Sequence, residues 1–359
     1  GSAPTNTTKA TVSCWVKKSS LAVHQGIYGV RNTGNNQINV QSGFFNGKWY
    51  MWYKDGTNDQ YLQDSYSIPR DVNGWYHVVF RYDTTDATAN NRMRVYVNGE
   101  SLGVNFGSVD QPAQNDDIII GTNGLEFSVG RYMFTGGTFQ YFDGSIAHFH
   151  YCDGYSYAPT EFGETDATTG IWKPKTSPSV NYGNNGFFLK MDNSGNMGLD
   201  SSGNSNNLTT SGTIIQAKDT PSNVFACLNA LHRQDDFSLA NINNTFTNIS
   251  TTHRMINTTL AASAGKYYAE VKATTVGGTY PQIGIVDIDK YTFNTYLGAS
   301  NKGYGYLSNG NKQYNNSASS FGNSYTDGDI IGIAMDLDNN KLYFSKNGTW
   351  QNSGDPTSG

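Results

Sequence analysis

The chain predicts an all-β protein built from two antiparallel β-sandwich (jelly-roll) domains joined by a structured connector, and three observations predict it. Gly (40) and Tyr (24) are abundant while charged residues make up only 15% of the 359 positions, the composition of short strands joined by many turns. No window carries a convincing 3.6-residue apolar period. Strand-like alternation bounded by Asn-Gly and Asp-Gly dipeptides recurs instead, and those dipeptides supply the positive-φ turns of tight hairpins. A chain of 359 residues suits about two domains, because single cores stop growing at roughly 250–300 residues.

The first strand begins at Ala10. In ATVSCWVKK, Val12, Cys14 and Val16 alternate with Thr11, Ser13 and Trp15, so the two sets should face opposite sides of a sheet. Strands are expected over residues 27–31 and 37–41, then in KWYMWYKDG, where Asp55-Gly56 marks a turn. GWYHVVFRY and MRVYVNGESLG follow, the latter with the Asn98-Gly99 hairpin signal. Residues 141–175 close this domain and lead out of it through turn-rich polar chain. In the last third, GKYYAEVKATT alternates, and DGDIIGIAMDLDNNKLYFSKNGTW reads as a hairpin with turns at Asn339-Asn340 and Asn347-Gly348. The expected domains are therefore 1–161, a connector over 162–225, and 226–359.

A net charge of −5 with no basic cluster argues against a nucleic-acid partner, which needs concentrated Lys and Arg. No apolar run approaches the roughly 20 residues that cross a bilayer as a helix. Cys14, Cys152 and Cys227 are odd in number and widely spaced, which reads as buried free thiols. The Asn-X-Ser/Thr triplets are what a chain this rich in Asn and Thr makes by chance. Gly1-Ser2 reads as a cloning remnant, so the lack of a secretory signal carries no weight.

Two aromatic runs are candidate ligand contacts: Trp49, Trp52 and Tyr53 in one, Tyr155 and Tyr157 in the other. Flat apolar rings suit pyranose faces, and the same rings also fill sandwich cores. His148 and His150, two apart on the closing strand, are either a metal pair or packing residues. Asp287 and Asp289 would share a strand face, but the Glu pair of a glycosidase is lacking there, and Asp336 and Asp338 flank an ordinary turn. No Ser-His-Asp, Walker or Rossmann pattern is present, so an enzyme is not expected.

TVSCWVKK, GWYHVVFRYD, MRVYVNGESLG, FSVGR and YFDGSIAHFHYCDGYSYAPTEF, in that order, resemble the laminin-G-like, concanavalin-type jelly roll. The family's usual first strand is expected before Pro4 and is missing there; it should come from elsewhere or have been trimmed away. DSSGNSNN (200–207) resembles the family's calcium-binding segment, and with MDNSGN (191–196) it implies a structural calcium held by Asp192, Asp200 and Asn204. The family's partner Asp is Ala147 here, and a pair of Asx turns is the other reading of these loops. FGETDATTGIWKPK, NGFFLKMDNSGN, DSSGN and DTPSN resemble a segment of marine bacteriophage structural proteins. GKYYAEV, IGIVD, GYGYLSNGNKQYN and the terminal hairpin resemble a SPRY domain, an interaction module, which here looks cut short after its KNG segment. Together these imply a non-enzymatic virion-surface protein, a tail fibre or head appendage, whose partners are a host-surface glycan or protein, other virion proteins and further copies of itself. The alternative is a bacterial extracellular adhesin or carbohydrate-binding module.

Overall fold

The computed structural model describes residues 2–34, 37–54, 59–63, 68–72, 74–102, 111–134, 137–231, 237–249, 252–278, 280–290 and 295–358. It is all-β, with 41% strand and 3% helix, the latter only as single turns. The chain divides into two compact units, residues 1–225 and 226–359.

Unit 1 contains β1 (Lys9–Lys18), β2 (Gln25–Asn32), β3 (Gln37–Phe45), β4 (Lys48–Lys54), β5 (Asp59–Gln63), β6 (Tyr76–Asp83), β7 (Met93–Val97), β8 (Glu100–Ser101), β9 (Leu125–Val129), β10 (Arg131–Met133), β11 (Phe139–Tyr141), β12 (Gly144–Asp153), β13 (Gly163–Thr165), β14 (Trp172–Pro174) and β15 (Phe187–Leu189). A six-stranded sheet runs β15-β12-β1-β6-β7-β8, and a seven-stranded one runs β10-β11-β2-β3-β4-β5 with β9 also paired to β2. The core between them takes Val12, Cys14 and Val16 from β1, Val78 and Phe80 from β6, Tyr28 and Val30 from β2, and Trp49, Met51 and Tyr53 from β4. Asn98-Gly99 makes the expected hairpin turn, with φ of 50° and 87°. The Asp55-Gly56 turn lies outside the described residues.

The sequence pattern puts Thr11, Ser13 and Trp15 on the outer side of β1, yet all three are buried, at 0%, 1% and 3% exposure. Residues 155–182 cover them. Phe162 packs with Val79 and Cys152, and Tyr155, Tyr157, Val180 and Tyr182 surround that cluster. The short hairpin of β13 and β14 places Trp172 against Gly99 and Gly163, where an added Cβ would stand 2.9 and 2.6 Å from the indole. Farther along, β15 pairs antiparallel with β12 through Phe149↔Leu189 and Tyr151↔Phe187. The buried Lys17 ammonium meets Asp219 at 2.8 Å. Residues 187–189 thus supply the edge strand of the six-stranded sheet beside β12.

Unit 2 contains β16 (Phe237–Ala240), β17 (Thr245–Asn248), β18 (Lys266–Lys272), β19 (Gln282–Val286), β20 (Gly303–Leu307), β21 (Asn311–Tyr314), β22 (Ser317–Ser320), β23 (Ile330–Asp336), β24 (Lys341–Lys346) and β25 (Thr349–Trp350). Two four-stranded sheets, β18-β23-β24-β25 and β19-β20-β21-β22, enclose Tyr306, Tyr325, Ile331 and Phe344. The expected hairpin is β23–β24, with Asn340 at φ 53° and the Asn347-Gly348 turn at 48° and 80°.

The hairpin β10–β11 lies on the outer face of the seven-stranded sheet, and glycines let it approach. A Cβ on Gly26 would stand 2.2 Å from the Tyr132 nitrogen, and one on Gly29 2.9 Å from the Tyr132 Cα. Because backbone rather than a flexible side chain is in the way, Gly26→Ala should destabilise unit 1 by about 1–3 kcal/mol. Urea unfolding followed by near-UV dichroism checks this, and an unchanged midpoint would refute the close approach.

Candidate functional site

The outer face of the seven-stranded sheet gathers half-exposed rings and polar groups on a fixed frame. Cross-strand register sets Ser128, Gly29, Gln41 and Trp52 side by side in one row, and Gly26, Gly43 and Tyr50 in the next. The hairpin is fastened over these rows by two hydrogen bonds: the Tyr132 hydroxyl donates to the Phe44 carbonyl (2.8 Å), and the Gln41 amide donates to the Met133 carbonyl (2.5 Å). Around it, Phe45 stacks on Tyr50 at 5.0 Å, and His24 sits between Phe45 (4.8 Å) and Phe134 (5.0 Å).

The same hairpin builds a charged cluster. Arg31 reaches Glu126 with two nitrogens (3.2 and 2.8 Å), and Arg131 reaches it at 2.9 Å. Both guanidiniums lie over the Phe139 ring, at 5.0 and 4.2 Å, a favourable cation–π arrangement. The Arg31 hydrogen bond is the main reason the Glu126 carboxyl is held below the usual carboxylate range. Gly29, Arg31, Ser128, Arg131, Tyr132, Met133 and Phe139 line a shallow surface depression. At its side Tyr141 is 63% exposed.

Of the five rings proposed from sequence as ligand contacts, Trp52 alone stands on this face. Trp49 and Tyr53 are each 1% exposed and belong to the core, because they alternate with Trp52 along β4. No sugar reaches them. Tyr155 and Tyr157 stack on each other at 5.9 Å within the cover on the opposite sheet. Arg31, Glu126, Arg131, Phe139 and Tyr141 were not singled out from sequence, since they lie up to about a hundred positions apart. The spaced glycines of β2 and β3 were the one available signal.

Two of the three residues expected to hold calcium are engaged in hydrogen bonds within the chain. Both oxygens of Asp200 are taken: Oδ1 accepts from the Phe188 and Ser202 amides (2.9 and 2.8 Å), and Oδ2 from the Ser202 hydroxyl and the Asn206 amide (2.9 and 2.8 Å). The Asn204 side-chain amide donates to the Gly183 and Gly186 carbonyls (2.6 and 2.9 Å), and Asp192 is exposed. The Asx-turn reading fits this loop, which caps β15. Among the described residues no group of three His, Cys, Asp or Glu side chains could hold a metal ion. His150 is a packing residue, stacked on Phe188 at 3.9 Å with its Nδ1 2.8 Å from the Tyr182 hydroxyl, and the half-buried His148 sits at φ 47°. Asp289 falls in a 3₁₀ turn rather than on a strand, and its amide donates to Asp287 (3.1 Å). Asp336 and Asp338 close the base of their hairpin, with Asp336 3.0 Å from Lys266 and Asp338 accepting from the Gly265 amide at 2.8 Å.

Two family models match parts of the chain. Residues 1–155 match the concanavalin A-like lectin/glucanases superfamily in its laminin-G form, and residues 266–354 match the SPRY domain. The chain therefore carries a concanavalin-like domain and a SPRY domain. No curated protein matches it. Solved structures similar to it include a candidate carbohydrate binding protein from Bacteroides ovatus (18% identity, 60% of this chain and 55% of that one, TM-score 0.40). Two others are the CBM40 of Ruminococcus gnavus IT-sialidase bound to α2,3-sialyllactose (18%, 44% and 82%, 0.33) and domains LG4-5 of the mouse laminin α1 chain (10%, 96% and 70%, 0.31). The chain thus spans little more than half of the Bacteroides protein.

If Asp200 is a cap rather than a metal ligand, Asp200→Ala should cost about 2 kcal/mol through lost charge-assisted hydrogen bonds. EDTA should leave the wild-type melting midpoint where it is. A midpoint that falls with EDTA and recovers with Ca²⁺ would restore the metal reading.

Proposed function

We propose that this chain is a non-enzymatic glycan-binding protein whose ligand lies on the outer face of the seven-stranded sheet, against β4 and the β10–β11 hairpin. The observation that carries this reading is the set of accessible rings, Trp52, Phe139 and Tyr141, with Arg31 and Arg131, on a glycine-floored frame that Gln41 and Tyr132 fasten. Rings stack on the apolar faces of sugars while fixed donors read hydroxyls, and a rigid sheet loses little entropy on binding. The match of residues 1–155 to a superfamily named for lectins and glucanases supports the lectin side for a chemical reason. Glu126, kept ionised by two arginines, is unsuited to holding the proton a glycosidase acid must donate.

The setting we propose is the surface of a bacteriophage particle, as a tail fibre or head appendage that meets a host-surface glycan or protein, other virion proteins and further copies of itself. The connector run FGETDATTGIWKPK to DTPSN supports it.

On an array of bacterial and algal polysaccharides, the wild-type chain should bind a restricted set. Trp52→Ala and Tyr141→Ala should each weaken binding about tenfold, the value of one ring stack, with unfolding midpoints unchanged. Equal binding by both variants would refute the face, and polysaccharide binding without association with labelled virions would favour a bacterial adhesin over a virion protein.

A further inference from the structure

Away from the ligand face, three histidines lie on the outer side of the six-stranded sheet beneath residues 155–182. His77 is 0% exposed and stacks between Trp15 (5.0 Å) and Trp172 (5.9 Å). Its two ring nitrogens are both engaged. The Trp172 indole N–H donates to Nδ1 at 3.0 Å, and Nε2 is 2.8 Å from the Ser13 hydroxyl. An indole can only donate, so Nδ1 must carry its lone pair and Nε2 the proton. His150, 2% exposed, lies between Phe162 (5.1 Å) and Phe188 (3.9 Å) and bonds the Tyr182 hydroxyl.

We propose that residues 155–182 form an acid-released cover: protonation of His77 at Nδ1, and of His150 beside it, detaches the Trp172 hairpin and the Phe162–Tyr182 segment from the sheet. A proton on Nδ1 turns an accepted hydrogen bond into two donors facing each other. Among the described residues no carboxylate is bonded to either ring. The neighbours that face these rings are Ser13 and Trp15 from β1, His148 from β12, Phe188 from β15, and Phe162, Tyr182 and Trp172 from the cover. The charged groups around them are engaged elsewhere or repel. Lys17 is bonded to Asp219, Arg81 to Asp83 and Ser156, and Lys173 of the hairpin to Glu164 and Asp166, while Lys190 and Asp192 act on His148.

Burial, with His148 adding repulsion, pushes His77 down to about 3, and the same causes together with His77 push His150 well below its ordinary value. In the detached chain both rings protonate near 6.5. The detached state therefore binds more protons, and the covered state is fully favoured above about pH 6.5. It is lost as pH falls from there towards 3, by up to tenfold in the opening equilibrium per pH unit for each histidine.

The chain carries its own reporters. Cys152 lies beneath the cover, packed on Phe162, and Cys14 lies in the sandwich core. In the full chain, labelling by 4,4′-dithiodipyridine, followed by peptide mass spectrometry and scaled to the urea-unfolded chain at each pH, should show Cys152 protected at pH 7.5. Its labelling should rise more than tenfold between pH 6.5 and 5 while Cys14 stays protected. His77→Gln keeps an acceptor for Trp172 without titrating, and Trp172→Phe keeps the ring without the donor; either should flatten the pH response of Cys152. Protection of Cys152 at every pH, joint labelling of Cys152 and Cys14, or a wild-type profile in both variants would overturn the proposal.

Discussion

Unit 1 depends on one constraint: β1 is buried on both faces. A strand in an antiparallel sandwich can leave its outer side to water, but here Thr11, Ser13, Trp15 and Lys17 are as enclosed as Val12, Cys14 and Val16. Each polar group taken from water must then find a partner. Thr11 donates to the Tyr155 carbonyl and accepts from the Tyr157 amide, Ser13 meets His77, and Lys17 meets Asp219. Most of those partners come from residues 155–219. The connector is thus a third layer of unit 1, and the β15 strand within it completes the six-stranded sheet.

That enclosure divides the labour between the two sheets. In the six-stranded sheet the outer side of β1 lies beneath residues 155–182, whereas the outer side of the seven-stranded sheet carries the short β10–β11 hairpin. Gly26 and Gly29 let the hairpin lie directly on β2, and Tyr132 and Gln41 fasten it. The result is a raised ridge that carries Arg131 and Phe139, with Arg31 of β2 reaching Phe139 from beneath and Trp52 on the floor beyond. Backbone contact and these two hydrogen bonds hold it in place. Unit 2 is a separate, thinner sandwich around Tyr306 and Phe344.

Much of the fold was legible because it is local. Alternation in ATVSCWVKK marks the core face of β1, and Asn98-Gly99 and Asn347-Gly348 adopt the positive-φ turns their composition demands. The candidate site was legible only in part. KWYMWYK has rings on both sides of the strand, so period-2 reading separates Trp52 from Trp49 and Tyr53 without saying which set is inside. That depends on which face of β4 meets β6. The burial of Ser13 and Trp15 was illegible for a different reason: their cover arrives about 140 residues later as irregular chain with no period to read. DSSGNSNN reads either as a cation loop or as an Asx turn, because both use the same oxygens; the hydrogen-bond donors around Asp200 fit the turn.

The central claim is that sugars meet unit 1 on the β4 and β10–β11 side. Backbone hydrogen exchange in the presence of a saturating bound oligosaccharide tests it most directly. The account predicts slowed exchange in residues 41–53 and 126–141, with residues 163–182 and 266–354 unchanged. Slowing confined to the SPRY domain, or to the covered six-stranded sheet, would contradict it.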